Sequence, residues 1–104
     1  YNKYKISLSD HVTSQNELQG VKSSRWLTTF RLKNKQNITQ LIDNQEFEIR
    51  KVWNPMHQQT VFRGAKSWLN GTADKLFESA VCLPSGKIDS KDFQQMCSWL
   101  QNML

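Results

Sequence analysis

Apolar residues recur along this chain with two different spacings, and the changes between them mark out its elements. Residues 26–32, with Trp26, Leu27, Phe30 and Leu32 among threonines, are aromatic and β-branched and stop at the polar cluster Lys33, Asn34 and Lys35, which predicts a strand. Residues 46–53 alternate less regularly. Phe47, Ile49, Val52 and Trp53 are apolar while Glu48, Arg50 and Lys51 are polar, a pattern suited to a strand covered on one face. Pro55 lacks an amide donor and moves Asn54 away from the helical region, so this strand must end near Trp53 and leave Met56 and His57 on a loop edge.

The helical spacing appears three times. Asn37 can cap a helix over roughly 38–45, with Gln40 three residues later and Ile38, Leu41 and Ile42 on one stripe. Thr72 can cap a second, through Ala80, with Ala73, Leu76, Phe77 and Ala80 sharing a face, and Val81, Cys82 and Leu83 then form a short buried strand before Pro84, Ser85 and Gly86. Asp89 caps the third, with Asp92 at its third position. There Phe93, Met96, Cys97, Leu100, Met103 and Leu104 recur at steps of three and four, and Trp99 falls off the stripe.

Residues 1–20 are mostly polar, with Tyr1, Tyr4, Ile6 and Leu8 as early apolar groups, a short strand near 11–15 and a turn at Gly20. Residues 58–71 hold no sustained period and predict a structured loop that packs Val61, Phe62, Trp68 and Leu69 against the domain. Loops of this length are commonly functional. The sum is a small α/β (α+β) domain in which about three helices pack on a small sheet of short strands.

At 104 residues the chain fits one domain with a modest core, burying roughly 65% of the surface that its extended form exposes. Four tryptophans are many for this length and point to aromatic surface meant for a partner. The formal net charge of +5 admits an anionic partner, yet the cations are interleaved with acids rather than clustered, the pattern of a solvated mixed surface. Cys82 and Cys97 sit in apolar settings without metal-ligand spacing and read as reduced core thiols. Asn37 and Asn70 each open a glycosylation sequon but serve more simply as turn or cap residues. With no apolar run of membrane length and no charged-then-apolar leader, the expectation is a cytoplasmic protein without membrane contact.

Self-sufficient chemistry is poorly represented. The chain has two histidines, His11 and His57, and neither a nucleophile elbow nor clustered metal ligands. The run GAKS at 64–67 ends like a phosphate loop but lacks the upstream glycine and the preceding strand. Aromatic residues beside cations, at Arg25 and Trp26 and again at 50–53, loosely suit nucleic acid, but no RNA-binding signature accompanies them and nucleic acid is a poor fit.

The order of short blocks is more specific. RKVWNPMHQQTVFRG at 50–64, SWLNG at 67–71, KLFE at 75–78 and CLPSG at 82–86, preceded by SRWLTT at 24–29, resemble the C-terminal region of sugar-nucleotide aminotransferases of the DegT/DnrJ/StrS type. The likeness runs from about Tyr4 to the C-terminus and is strongest to the branch that makes 4-amino-4,6-dideoxy sugars for surface polysaccharides.

The resemblance implies a pyridoxal phosphate enzyme of fold type I, usually a homodimer, that moves an amino group from glutamate to a 4-keto-6-deoxy sugar nucleotide. It implies that residues 1–20 are the end of an interdomain helix and a lead-in strand, and that 21–104 are the small domain. The Schiff-base lysine, the pyridinium acid and the phosphate cup of such enzymes belong to an N-terminal large domain. None of those motifs occurs here, so this chain alone is expected to bind no cofactor and to hold no catalytic residue. By the same resemblance Met56 and His57 border the substrate, His57 as a hydrogen-bonding or polarising group. Trp53 and Asn54 flank them, and Arg25 and Arg50 can pair with a carboxylate or pyrophosphate. Asn54 stands where this branch is expected to carry Lys, so no cationic contact is implied at that position. The alternative is a free-standing, non-catalytic module that binds a nucleotide sugar or nucleic acid.

Overall fold

A computed structural model describes residues 1–34 and 38–104. Among these, four strands form one antiparallel sheet in the order β1-β2-β4-β3: β1 Val12–Thr13, β2 Thr28–Leu32, β3 Arg50–Lys51 and β4 Ala80–Leu83. Four helices accompany it: α1 Asn2–Ser7, α2 Ile38–Asp43, α3 Thr72–Ser79 and α4 Ser90–Met103. The fold is a small α+β domain, as the residue pattern predicts, with one helix more than the pattern disclosed.

That extra helix is α1. Within it only Tyr4 is buried; Leu8, which caps it, is buried too, whereas Lys3, Lys5 and Ile6 face solvent, so its apolar signal is too sparse to read. Tyr4 ties α1 to the rest of the core. Its hydroxyl donates to the Pro84 carbonyl at 3.0 Å, and its ring meets Phe93 edge-on at 4.9 Å. Burial, with Cys97 nearby, pushes the Tyr4 phenol well above its ordinary value, so it stays a donor at any physiological pH.

Strand β2 carries the alternation that organises the core. Thr28, Phe30 and Leu32 are buried, and between them Thr29 and Arg31 face the less covered side. Phe30 and Leu32 meet Val81 and Leu83 of β4, Met96, Cys97 and Leu100 of α4, Leu41 of α2 and Ile49. Helix α4 starts where its sequence says it should: the Asp89 side chain accepts the Asp92 amide at 2.8 Å. Trp99, off the main stripe, packs its ring 5.4 Å from that of Phe47.

Five expectations need correction. The strand expected over 46–53 shrinks to Arg50 and Lys51, because Asn44 Oδ1 accepts the amides of Glu46 and Phe47 at 3.0 and 2.8 Å and turns the chain there instead. The strand expected from residue 26 begins at Thr28, and α2 ends at Asp43; the Asn37 cap lies outside the described residues. Helix α3 is capped by Gly71 rather than Thr72. Gly71 takes the left-handed conformation (φ 76°) that a side chain would resist, and Asn70 Oδ1 accepts the Thr72 amide at 3.0 Å. Finally, residues 58–71 do not press their apolar groups inward, since Val61, Phe62, Trp68 and Leu69 are all exposed.

Candidate functional site

The chain leaves β3 through Val52 and Trp53 and turns at the buried Pro55 into two short 3-10 turns, Met56–Gln58 and Thr60–Phe62. Local bonds hold this path. The Gln58 and Gln59 amides donate to the Pro55 and Met56 carbonyls, and the Gln59 side chain donates to the Asn54 carbonyl at 2.7 Å. The turn therefore has one defined shape. Met56 and the Asn54 side chain point into solvent, whereas His57 is turned back, its side chain 20% exposed.

What receives His57 is Asp74, on the first turn of α3. His57 Nε2 lies 2.9 Å from Asp74 Oδ1, and the Gln58 side-chain amide donates to the same oxygen. Burial works to raise the Asp74 carboxyl, but the bonds from Gln58 and His57 outweigh it and hold the group below its ordinary range. An ionised carboxylate only accepts, so the nitrogen facing it, Nε2, carries a hydrogen, and in the neutral form of the ring the lone pair is then on Nδ1. Asp74 escaped the sequence reading because it lies 17 positions from His57. Its signal was an acid at the third position of a helix, which ordinarily reads as a favourable helix charge.

Trp53 finds its partner across the sheet. Its ring lies 5.8 Å from that of Trp26, and the two are 74% and 73% exposed. With Leu27, Thr29, Arg50, Lys51, Val52 and Cys82 they line a cleft of about 280 Å³. Cys82 is half-buried there, its sulfur 3.5 Å from Thr29 Oγ1, whereas Cys97 is in the core; neither forms a disulfide. Arg50 stands at the rim of this cleft and pairs with Glu48, both largely exposed. A wider depression of about 500 Å³ between 46–48 and α4 is edged by Glu46, Glu48 and Asp92 and contains none of the candidate residues.

Arg25 finds its partners in the N-terminal segment. Its guanidinium lies 3.9 Å over the Tyr1 ring and 2.7 Å from Glu17, whose carboxyl is held below its ordinary range by the Ser23 amide first and by Arg25. Arg25 also has a left-handed backbone (φ 53°), at a cost of roughly 1–2 kcal/mol for a residue with a β-carbon. The Glu17–Ser23–Arg25 network opposes that strain. Its charge is thus already engaged within the domain.

No family model matches the chain. The chain is 32% identical, over 103 aligned positions, to the "Putative pyridoxal phosphate-dependent aminotransferase EpsN" of Bacillus subtilis (strain 168). The match takes in 90% of this chain and 26% of EpsN, so the chain spans about a quarter of that relative's length. This likeness supports a relation to pyridoxal phosphate-dependent aminotransferases.

A site for that cofactor needs a sheltered lysine amine and a cradle for a phosphate. The described lysines do not offer one. All are exposed, and Lys51, which lines the tryptophan cleft, has its ammonium 3.8 Å over the Phe77 ring. The described residues do not fit the cofactor, and no group of ligands suited to a metal occurs among them. No helix among them is long and apolar enough to cross a membrane.

The surface around the turn is unusual in a different way. Trp26, Trp53, Met56, Val61, Trp68 and Leu69 are exposed, and from residue 49 to residue 73 the sequence contains Arg50, Lys51, Arg63 and Lys66 but no acid. The accessible surface is 7960 Å². A compact monomer of this mass exposes about 6,100 Å².

Proposed function

We propose that this chain is the C-terminal, substrate-closing domain of a pyridoxal phosphate-dependent aminotransferase that passes an amino group from glutamate to a 4-keto-6-deoxy sugar nucleotide in surface-glycan biosynthesis. The observation that carries the reading is the match to EpsN along nearly the whole of this chain. The exposed aromatic and basic surface supports it as well, since such a surface suits a domain that completes its packing on another. Residues 1–20, with α1 and β1, are read as the end of an interdomain helix and the lead-in to the small domain, anchored here through Tyr4, Leu8 and Val12. The whole polypeptide is read as a homodimer.

In this reading the cofactor and its lysine belong to the large domain, and no step through the cofactor is assigned to this chain. Its own residues wall the substrate. Met56 presents an apolar surface, His57 offers Nδ1 as a hydrogen-bond acceptor or, when protonated, donor, and Arg50 supplies a cation beside the exposed rings of Trp26 and Trp53. Arg25 is given a structural part, since Glu17 and the Tyr1 ring hold it in a partly buried place, whereas the Arg50–Glu48 pair lies open to solvent.

The test is to compare the 104-residue chain with the same chain fused to the coding sequence upstream of it. The reading expects the fusion to take up pyridoxal phosphate with an absorbance band and to aminate a 4-keto sugar nucleotide, and the 104-residue chain to do neither. Lysine-linked cofactor uptake by the shorter chain, or an upstream sequence without a Schiff-base lysine domain, overturns it.

A further inference from the structure

We infer that Asp74 is a positioning residue for His57: it fixes the imidazole through Nε2 and presents Nδ1 to whatever the turn faces. This rests on the reading of the turn as a wall of the substrate site. The two residues are 17 positions apart, and the contact joins two separately anchored pieces of chain. The turn hangs from β3, which pairs with β4, and Asp74 belongs to α3, which runs into β4 without a connecting residue.

Three features distinguish this contact from a casual surface pair. The carboxylate oxygen is bound twice, by Nε2 of His57 at 2.9 Å and by the Gln58 side-chain amide, so neighbouring residues of one turn converge on one acceptor. Both partners are partly withdrawn from water, with side chains 20% and 32% exposed, which weakens competition from solvent. The backbone of the turn is independently fixed by Pro55 and by the Gln59 bond to the Asn54 carbonyl. Rotation about the His57 side chain is then the main freedom left, and Asp74 removes it.

A carboxylate holding one ring nitrogen also selects the tautomer, because the nitrogen facing it must carry the hydrogen. Nδ1 makes no hydrogen bond among the described residues. It is therefore the atom available to a ligand hydroxyl, amide or phosphate oxygen. A ring released from Asp74 would spread over rotamers and tautomers, and a group displaced by 1 Å can lose two orders of magnitude in rate.

Two measurements decide this. In the 104-residue chain, long-range proton–nitrogen NMR of the His57 ring should show the neutral ring with its hydrogen on Nε2, with a solvent-protected signal that disappears in Asp74→Ala; a neutral ring with its hydrogen on Nδ1, or a signal unchanged by the substitution, overturns the inference. In the fused enzyme, a double-mutant cycle separates positioning from a fold effect. Asp74→Ala should lower kcat/KM about tenfold or more when His57 is present and by less than twofold in a His57→Ala background. Equal losses in both backgrounds mean that Asp74 acts through the fold, and overturn it. Asp74→Asn, whose side-chain oxygen can still accept from Nε2, should restore a substantial part of the activity. A fused enzyme with no transaminase activity removes the proposed function, while the NMR result still decides how the ring is held.

Discussion

The structure holds the carboxyls of Asp74 and Glu17 below their ordinary range, Glu17 through the Ser23 amide and Arg25, Asp74 through Gln58 and His57 against the opposing effect of burial. A carboxylate whose folded value is depressed adds stability above its unfolded value and loses that contribution as the pH falls through the folded one. The contribution is complete at neutral pH and declines below about pH 4. The urea midpoint should accordingly drop between pH 5 and pH 3 in the natural sequence, and drop less steeply in an Asp74→Asn, Glu17→Gln variant; equal slopes would show that these carboxylates are not linked to folding. The same two acids explain what sequence reading missed about Arg25 and His57. A guanidinium or imidazole read as available for a ligand needs its intramolecular partners to be known, and Glu17 and Asp74 lie 8 and 17 positions away from Arg25 and His57.

Among the elements, those read correctly combine a clear period with a terminus signal. Helix α4 has both, an apolar stripe and the Asp89 cap with its 2.8 Å bond to the Asp92 amide. Removing such a cap costs about 1 kcal/mol. Asp89→Ala should therefore lower the unfolding free energy by roughly that amount without changing the urea m-value. A neutral result would show that packing of Met96, Cys97 and Leu100 alone fixes where the helix begins. Strands β2 and β4 were legible for a similar reason, their apolar residues being bounded by polar or turn-forming clusters. Where two local signals compete, the pattern fails. Phe47 and Ile49 alternate as a strand does, yet the Asn44 side chain takes the Glu46 and Phe47 amides first. The pairing of Trp26 with Trp53 was invisible because it depends on β4 lying between β2 and β3, and no local period encodes that order.

For the whole molecule, the surface exceeds that of a compact monomer by about 1,900 Å², and the Cα radius of gyration is 15.1 Å against roughly 13 Å for a compact chain of this size. Part of the exposed apolar surface lies where the sequence pattern was least informative. Residues 58–71 expose Val61, Trp68 and Leu69, and their lack of a period reflects the lack of a single core for them to face. Trp53→Ser and Trp68→Ser in the 104-residue chain should lower binding of a hydrophobic dye and reduce aggregation while moving the melting temperature by no more than a few degrees. A large loss of thermal stability would place these rings in the packing of the isolated domain instead.

Helix α3 passes into β4 between Ser79 and Ala80, and the Ser79 hydroxyl, buried at this junction, donates back to the Lys75 carbonyl at 2.6 Å. The helix is thus a rigid arm welded to the sheet, with Asp74 about 7.5 Å out from the weld at 1.5 Å of rise per residue. If the angle between arm and sheet changed by about 10°, the carboxylate would swing by about 1.3 Å, enough to break its grip on the imidazole. The placement of His57 would then report on the posture of the entire sheet, and a partner that bends the sheet could unlatch the ring without touching it.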